Sequence, residues 1–552
     1  MSRIPSVMPA QARFATVPSA EIPRSSFDRS HGYKTTFNAG DLIPIFVDEA
    51  LPGDTFSLNM TGFARLATPL HPFMDNVFMN TFFFAVPIRL IWENWEKFNG
   101  AQENPGDSTD YLTPVINAPS GSGFTAGSLF DYMGIPTGVT GFSHCAFWAR
   151  AYNLIWNEWF RDENLQDSVV VHKGDGPDPA SDYTLLKRGK RHDYFTSCLP
   201  WPQKGESVDV PIGTTAPVTG SVVITGDGSV PTWSTSGGWV PQFSDIAQTV
   251  PSAGTSPQSP LYVSGVTLGG GGQKNIRFGN NTGLQGTAGS DLVADLSEAS
   301  AATINMLRQA FQIQKLYERD ARGGTRYTEV VRSHFGVVSP DARLQRPEYL
   351  GGGQSTVNLH AVAQTSNVNA QPTPQGNLAA FGTSTLSGGH GFTKSFTEHC
   401  VIIGLVSVRA DLNYQQGLNR MFSRRTRWDF YWPALAHIGE QAVLNKEIYT
   451  QGTSADDQVF GYQERFAEYR YKPSVITGEM RSNFAQSLDT WHLAQDFPSL
   501  PALNETFIQE NPPIGRVIAV PSSPHFIFDS YFQLRCARPM PVYGVPGLID
   551  HF

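Results

Sequence analysis

The chain has 552 residues, of which 16% are charged and 12% aromatic, with a formal net charge of −9. That balance excludes a protein that neutralises nucleic acid by bulk charge. Four well-separated cysteines (Cys145, Cys198, Cys400, Cys536) exclude a dense disulfide framework, supply no zinc-ligand spacing, and fit folding in a reducing compartment. The 52 glycines and 39 prolines run along the whole length, which predicts short strands and many loops. An ordinary soluble chain is roughly 25% charged, so low charge with plentiful rings predicts a surface largely covered by partners. The longest apolar run, 77–86, is half a membrane span and contains Asn80 and Thr81, and the first residues lack the apolar core of a secretory signal. No membrane insertion is expected.

Residues 1–40 mix Arg3, Arg13, Arg24, Arg29 and Lys34 with four prolines and show no period, so they read as an extended arm. In 41–98, Phe56, Leu58 and Met60 alternate with Ser57, Asn59 and Thr61, the period of a strand with one buried face. Pro52-Gly53 before them suits a tight turn. The run VFMNTFFFAV is apolar on both faces and predicts a strand covered on both sides. With DLIPIFV these strands read as the first wall of a β-sandwich. Residues 144–163 predict a helix with a Phe147, Ala151, Leu154, Ile155, Trp159 stripe. Residues 201–300 hold 17 glycines and 8 prolines but only Lys204, Lys274 and Arg277 as cations, which predicts an inserted, exposed β subdomain. Residues 296–320 predict a further helix on Met306, Ala310, Ile313 and Tyr317, and strong strands return at 401–410 and 526–536. Matching strands at both ends imply one discontinuous β domain. The expected divisions are an arm at 1–40, a first part at 41–200, an insertion at 201–296 and the remainder at 297–552.

Motifs for catalysis are missing. There is no P-loop, no HExxH and no G-x-S-x-G, and the sequence assigns no catalytic, cofactor or metal residues. His437 with Glu440, the Asp175/Asp178/Asp182 loop, and Glu464 with Glu468 read as structural groups. Two basic-aromatic segments carry more content. Lys187, Arg188, Lys190 and Arg191 cluster around Gly189, and Arg420, Arg424, Arg425 and Arg427 lie beside Trp428, Phe430, Tyr431 and Trp432. Cations that track phosphates beside rings that stack on bases suit single-stranded nucleic acid. Ion pairs and core rings are the competing reading. A β-rich glycan-binding protein or glycosidase is the alternative function, though no carboxylate spacing singles out a catalytic pair.

Several long blocks resemble the major capsid protein of gokushoviruses, a subfamily of the Microviridae, which are small single-stranded DNA bacteriophages. They include 27–34 (FDRSHGYK), 42–55 (LIPIFVDEALPGDT), 64–76 (ARLATPLHPFMDN), 316–353, 408–449 and 463–478. The resemblance covers most of the chain outside 201–300 and parts of 367–391. It implies a mainly β, antiparallel jelly roll with large inserted loops and a few helices. It further implies a T=1 icosahedral shell around a circular single-stranded DNA genome, with pentamers as intermediates, assembled in the bacterial cytoplasm. The implied partners are further copies of the chain, a scaffolding protein, a small basic DNA-binding protein, a pilot protein and a host surface receptor. In this family the variable insertion forms a protrusion at the three-fold axes. Residues 201–296 are its expected counterpart, with 222–224 or 261–266 meeting the three-fold mates and Trp233, Trp239 and Phe243 as candidate receptor contacts.

Overall fold

A computed structural model describes residues 23–206, 208, 304–337, 345–365 and 375–543, and the backbone of short strands between 218 and 294. Two antiparallel sheets dominate it. The first joins Phe526–Arg538 to Thr55–Leu66 on one side and to Ser25–Asp28 and His31–Phe37 on the other. Thr55–Leu66 then pairs with Leu378–Leu386 and Gly391–Ser395, and Asn358–Ala363 adds an edge strand to Leu378–Leu386. The second sheet is centred on Cys400–Ala410, which pairs with Ile43–Ala50 and with Val77–Pro87. Glu348–Gly351 and Gln354–Thr356 close its other edge.

The three opening strands therefore do not form one wall. Ile43–Ala50 and Val77–Pro87 belong to the second sheet and Thr55–Leu66 to the first. The Pro52-Gly53 turn, with Gly53 at φ 90°, carries the chain across the sandwich instead of into a hairpin. From His31–Phe37 through Val77–Pro87, and again from Gly391–Ser395 through Cys400–Ala410 to Phe526–Arg538, successive strands switch sheets. Such crossing between two antiparallel sheets is that of a jelly roll.

Period-2 burial fixes the register. Phe56, Leu58 and Met60 are buried while their neighbours Ser57 and Asn59 are exposed, and Phe526–Arg538 alternates in the same way. Rings cross the interior: Phe46 meets Phe532 at 5.2 Å and Phe83 meets Phe392 at 5.6 Å. Within the segment expected as an arm, residues 25–37 are sheet. The inward alternation of Tyr33, Thr35 and Phe37, interleaved with Gly32, Lys34 and Thr36, explains it. Residues 1–22 lie outside the described residues.

Val77–Pro87 is covered on both faces, as its composition predicts. Its outward residues Phe84 and Val86 share a second core with Trp92, Ile116, Phe147, Tyr152 and Ile155. The cover comes from the loop that follows the strand. The expected helix at 144–163 is shorter: Phe147–Ile155 is α-helical and passes into a π turn at Trp156–Phe160. Arg150, Tyr152 and Asn153 are also buried, so the helix is enclosed on more than its apolar stripe. A third core joins Tyr194, Phe195 and Cys198 to Tyr414, Val443, Ile448, Phe460 and Phe507. It packs the loop after Val77–Pro87 against the loop that leads into Phe526–Arg538.

The chain separates into two compact units, Met1–Glu206 with Lys315–Phe552, and Ser207–Gln314. In the second unit Val218–Thr219, Val223–Gly226 and Trp233–Ser234 pair antiparallel with Val293–Ala294, Leu284–Thr287 and Arg277–Phe278. The three pairs are nested in sequence. A helix follows at Ile304–Gly323.

Candidate nucleic-acid and assembly surfaces

The first basic segment runs against 508–510. Lys190 N–H donates to the Ile508 carbonyl and Glu510 N–H to the Arg188 carbonyl, both at 2.7 Å. This pairing directs the side chains to different sides. Lys187 forms an ion pair with Asp41 at 2.9 Å. Lys190 is buried, with Nζ 4.5 Å from the centre of the Phe507 ring. Arg188 donates to Asn80 Oδ1 at 3.2 Å and lies over Phe82 at 5.1 Å. Arg191 is exposed.

Arg188, Arg191 and Arg409 line a cavity of about 730 Å³ together with the rings of Phe82, Phe84, Trp159 and Tyr349. Arg409 donates through Nη2 to Gln354 at 2.9 Å, while its buried Nη1 has no hydrogen-bond partner. Burial, reinforced by Arg409, lowers the Arg188 guanidinium to about 10. Burial also lowers the Lys190 ammonium against the pull of Glu510 and Asp193. The Glu510 carboxyl is pushed up to about 7 by burial, although Lys190, Arg188 and Arg409 oppose this. Cations short of hydrogen-bond partners beside aromatic faces suit a planar, anionic ligand.

In the second segment the cations are mostly engaged within the chain. Arg420 pairs with Glu447 at 2.9 Å and donates to the Ala442 carbonyl at 2.7 Å. Arg424 pairs with Glu468 at 3.3 Å and lies over Tyr469 at 4.2 Å. Asp429 accepts from the backbone N–H of Arg425 and Thr426 at 2.9 and 2.7 Å, which caps the turn at Arg427–Asp429. Arg427 sits over Trp428 at 5.3 Å and Trp432 at 4.6 Å. Arg425 and Arg427 are exposed.

The carboxylates singled out in the sequence are engaged elsewhere. Glu464 ends the strand Val459–Glu464 and pairs with Arg470, whereas Glu468 lies in the turn Ala467–Tyr469, so the two share no helix face. Glu440 pairs with Arg322, away from exposed His437. Asp175 accepts from Trp92 Nε1 at 2.8 Å, Asp178 pairs with Arg150 at 2.7 Å, and Asp182 bonds His172 at 2.7 Å. Of the candidate receptor contacts, Trp233 lies in the Trp233–Ser234 strand, and Trp239 and Phe243 fall outside the described residues. Sequence reading passed over Arg409 and Glu510. Arg409 is the one charge in the otherwise apolar and small run VIIGLVSVRA, and that anomaly was its signal.

A family profile described as "Capsid protein (F protein)" matches residues 15–548. The chain belongs to that family. It is 52% identical to capsid protein VP1 of Bdellovibrio phage phiMH2K, over 98% of both chains. It is 46% identical to capsid protein VP1 of Chlamydia phage 1, over 99% of both, and 37% identical to that of Spiroplasma virus 4, over 97% of both. The resemblance to gokushovirus capsid proteins is borne out. The protein is a structural capsid component of the virion and assembles into a multimeric shell. The glycan-binding or glycosidase alternative finds no support.

Proposed function

We propose that this capsid protein builds a T=1 icosahedral shell around a circular single-stranded DNA genome, with pentamers as intermediates, in the cytoplasm of a bacterial host. The observation that carries the reading is likeness to phage capsid proteins over nearly the full length of each chain. At a net charge of −9 the shell cannot neutralise a genome. A small basic DNA-binding protein supplies most of the counter-charge, and a scaffolding protein and a pilot protein complete the assembly.

Direct contact with DNA is assigned to Arg188 and Arg191, with Arg409, at the mouth of the 730 Å³ cavity. There the guanidinium groups meet phosphate and the rings stack on bases. Lys187, Lys190, Arg420 and Arg424 hold the fold through their ion pairs and buried contacts. Ultraviolet cross-linking of packaged DNA tests this, with cross-linked peptides expected to contain Phe82, Trp159 or Tyr349. Cross-links confined to other segments, together with unchanged DNA content in Arg191→Glu particles, contradict the contact.

The insertion at 201–296 projects outward and takes part in host attachment, with Trp233, Trp239 and Phe243 as receptor contacts. Its Gly-rich, cation-poor composition and its separation as a unit of its own support this. Particles lacking residues 220–265 are expected to assemble and to lose adsorption. Normal adsorption by such particles contradicts it.

A further inference from the structure

Among the described residues outside the cavity, a dense run of exposed apolar side chains lies between residues 421 and 438. Met421, Phe422, Trp428, Phe430, Tyr431 and Ile438 are each about half exposed or more, and Trp432 lies beside them. Half-exposed side chains of this size present on the order of 100 Å² each. Together they approach the roughly 800 Å² per partner of a standard protein interface, and exceed the patch of a few hundred Å² that a monomer ordinarily leaves bare. Much of its charge is engaged within the chain. Arg420 and Arg424 are paired with Glu447 and Glu468, Arg470 with Glu464, and Arg427 is laid across two tryptophan faces, which leaves Arg425 as the exposed cation of the segment that has neither contact. Next to Met421 and Phe422 a cavity of about 260 Å³ opens, floored by Tyr194 and Tyr414.

We propose that this surface is a contact between copies of the chain in the shell, and that its occupant is a second copy. Aromatic and arginine side chains with little net charge are the composition of an interface core. A phosphate backbone requires a row of cations with free donors, and here Arg420 and Arg424 are committed to Glu447 and Glu468 and Arg427 to two rings. The proposal rests on the shell-forming role of the family and assigns one of its contacts.

Hydroxyl-radical footprinting of the full-length protein, as dissociated subunits and as shells emptied of DNA, tests it. Trp428, Trp432, Phe422 and Met421 are expected to be oxidised in subunits and to lose that oxidation in empty shells. If they stay reactive while other surfaces become protected, the assigned contact is overturned and the shell stands. If nothing becomes protected, both fall. Protection only in DNA-filled particles makes nucleic acid the occupant and overturns the proposal. As a second arm, the double variant Trp428→Glu/Ile438→Glu should keep its thermal unfolding midpoint yet remain as subunits, whereas Trp428→Phe should assemble. Normal assembly of the double variant contradicts the assignment.

Discussion

Arg150 and Asp178 are joined by two hydrogen bonds of 2.7 Å, with the arginine side chain completely buried. The same guanidinium donates to the carbonyls of Ile91 at 3.0 Å and Gly174 at 2.9 Å, and Tyr183 donates to Asp178 at 2.6 Å. One ion pair thus ties the Phe147–Ile155 helix to the turns around residues 91 and 174 that flank it on the second sheet.

Removing one partner of a buried pair leaves an uncompensated charge, at a cost of about 3–5 kcal/mol. Asp178→Ala is expected to destabilise the subunit by that amount in denaturant unfolding. The double replacement Arg150→Met/Asp178→Leu should cost less than the single one, because no charge is stranded. A loss under 1 kcal/mol for the single variant contradicts the role given to the pair.

Glu510 predicts a pH dependence. Its folded carboxyl sits at about 7 because of burial, against an ordinary value of about 4.3. The folded chain therefore holds a proton that the unfolded chain has released. Stability from this group is fully present below about pH 4.3 and is lost as pH rises through about 7. Glu510→Gln mimics the protonated form and removes this loss. The stability of Glu510→Gln relative to wild type should rise by about 3 kcal/mol between pH 5 and pH 8. A pH-independent difference contradicts the assignment.

Gly404 lies mid-strand opposite both Phe46 and Phe83. A Cβ there would stand 2.7 Å from the Phe83 ring and 2.8 Å from the Phe46 Cβ. Overpacking of this kind costs about 1–3 kcal/mol. Gly404→Ala should lower the urea midpoint, and adding Phe83→Leu should recover part of the loss. A neutral Gly404→Ala would show that Phe46 and Phe83, on the strands either side of it, can move apart more easily than these distances allow.

All four cysteines are free thiols, and Cys198, Cys400 and Cys536 are buried. Burial raises each thiol above its ordinary value, Cys400 to about 12. Native subunits at pH 8 should therefore react slowly with iodoacetamide and label fully only after unfolding. Modification of any of the three buried thiols at the rate of a free cysteine contradicts the packing.

The sheet faces were legible because burial leaves a period in the sequence. The alternation of Phe56, Leu58 and Met60 and the doubly apolar Phe82, Phe83 and Phe84 both gave the observed exposure. Strand partners were not legible, since Ile43–Ala50 and Thr55–Leu66 are joined by a short turn yet belong to different sheets. Pairing is decided by where a turn sends the chain, and a Pro-Gly dipeptide does not encode that direction. The basic clusters were legible as composition only. Arg424 and Arg191 look alike in sequence, yet one is held by Glu468, 44 residues away, and the other is exposed. Buried charges such as Arg150 and Glu510 depend on partners brought together by the fold, and local spacing carries no trace of these.

As the building block of a closed shell, the full chain should assemble when expressed with a scaffolding protein, and sedimentation with negative-stain microscopy reads the outcome. Uniform closed particles are expected, together with pentamers that convert into them. A chain that stays a stable monomer or small oligomer under every assembly condition would contradict that role.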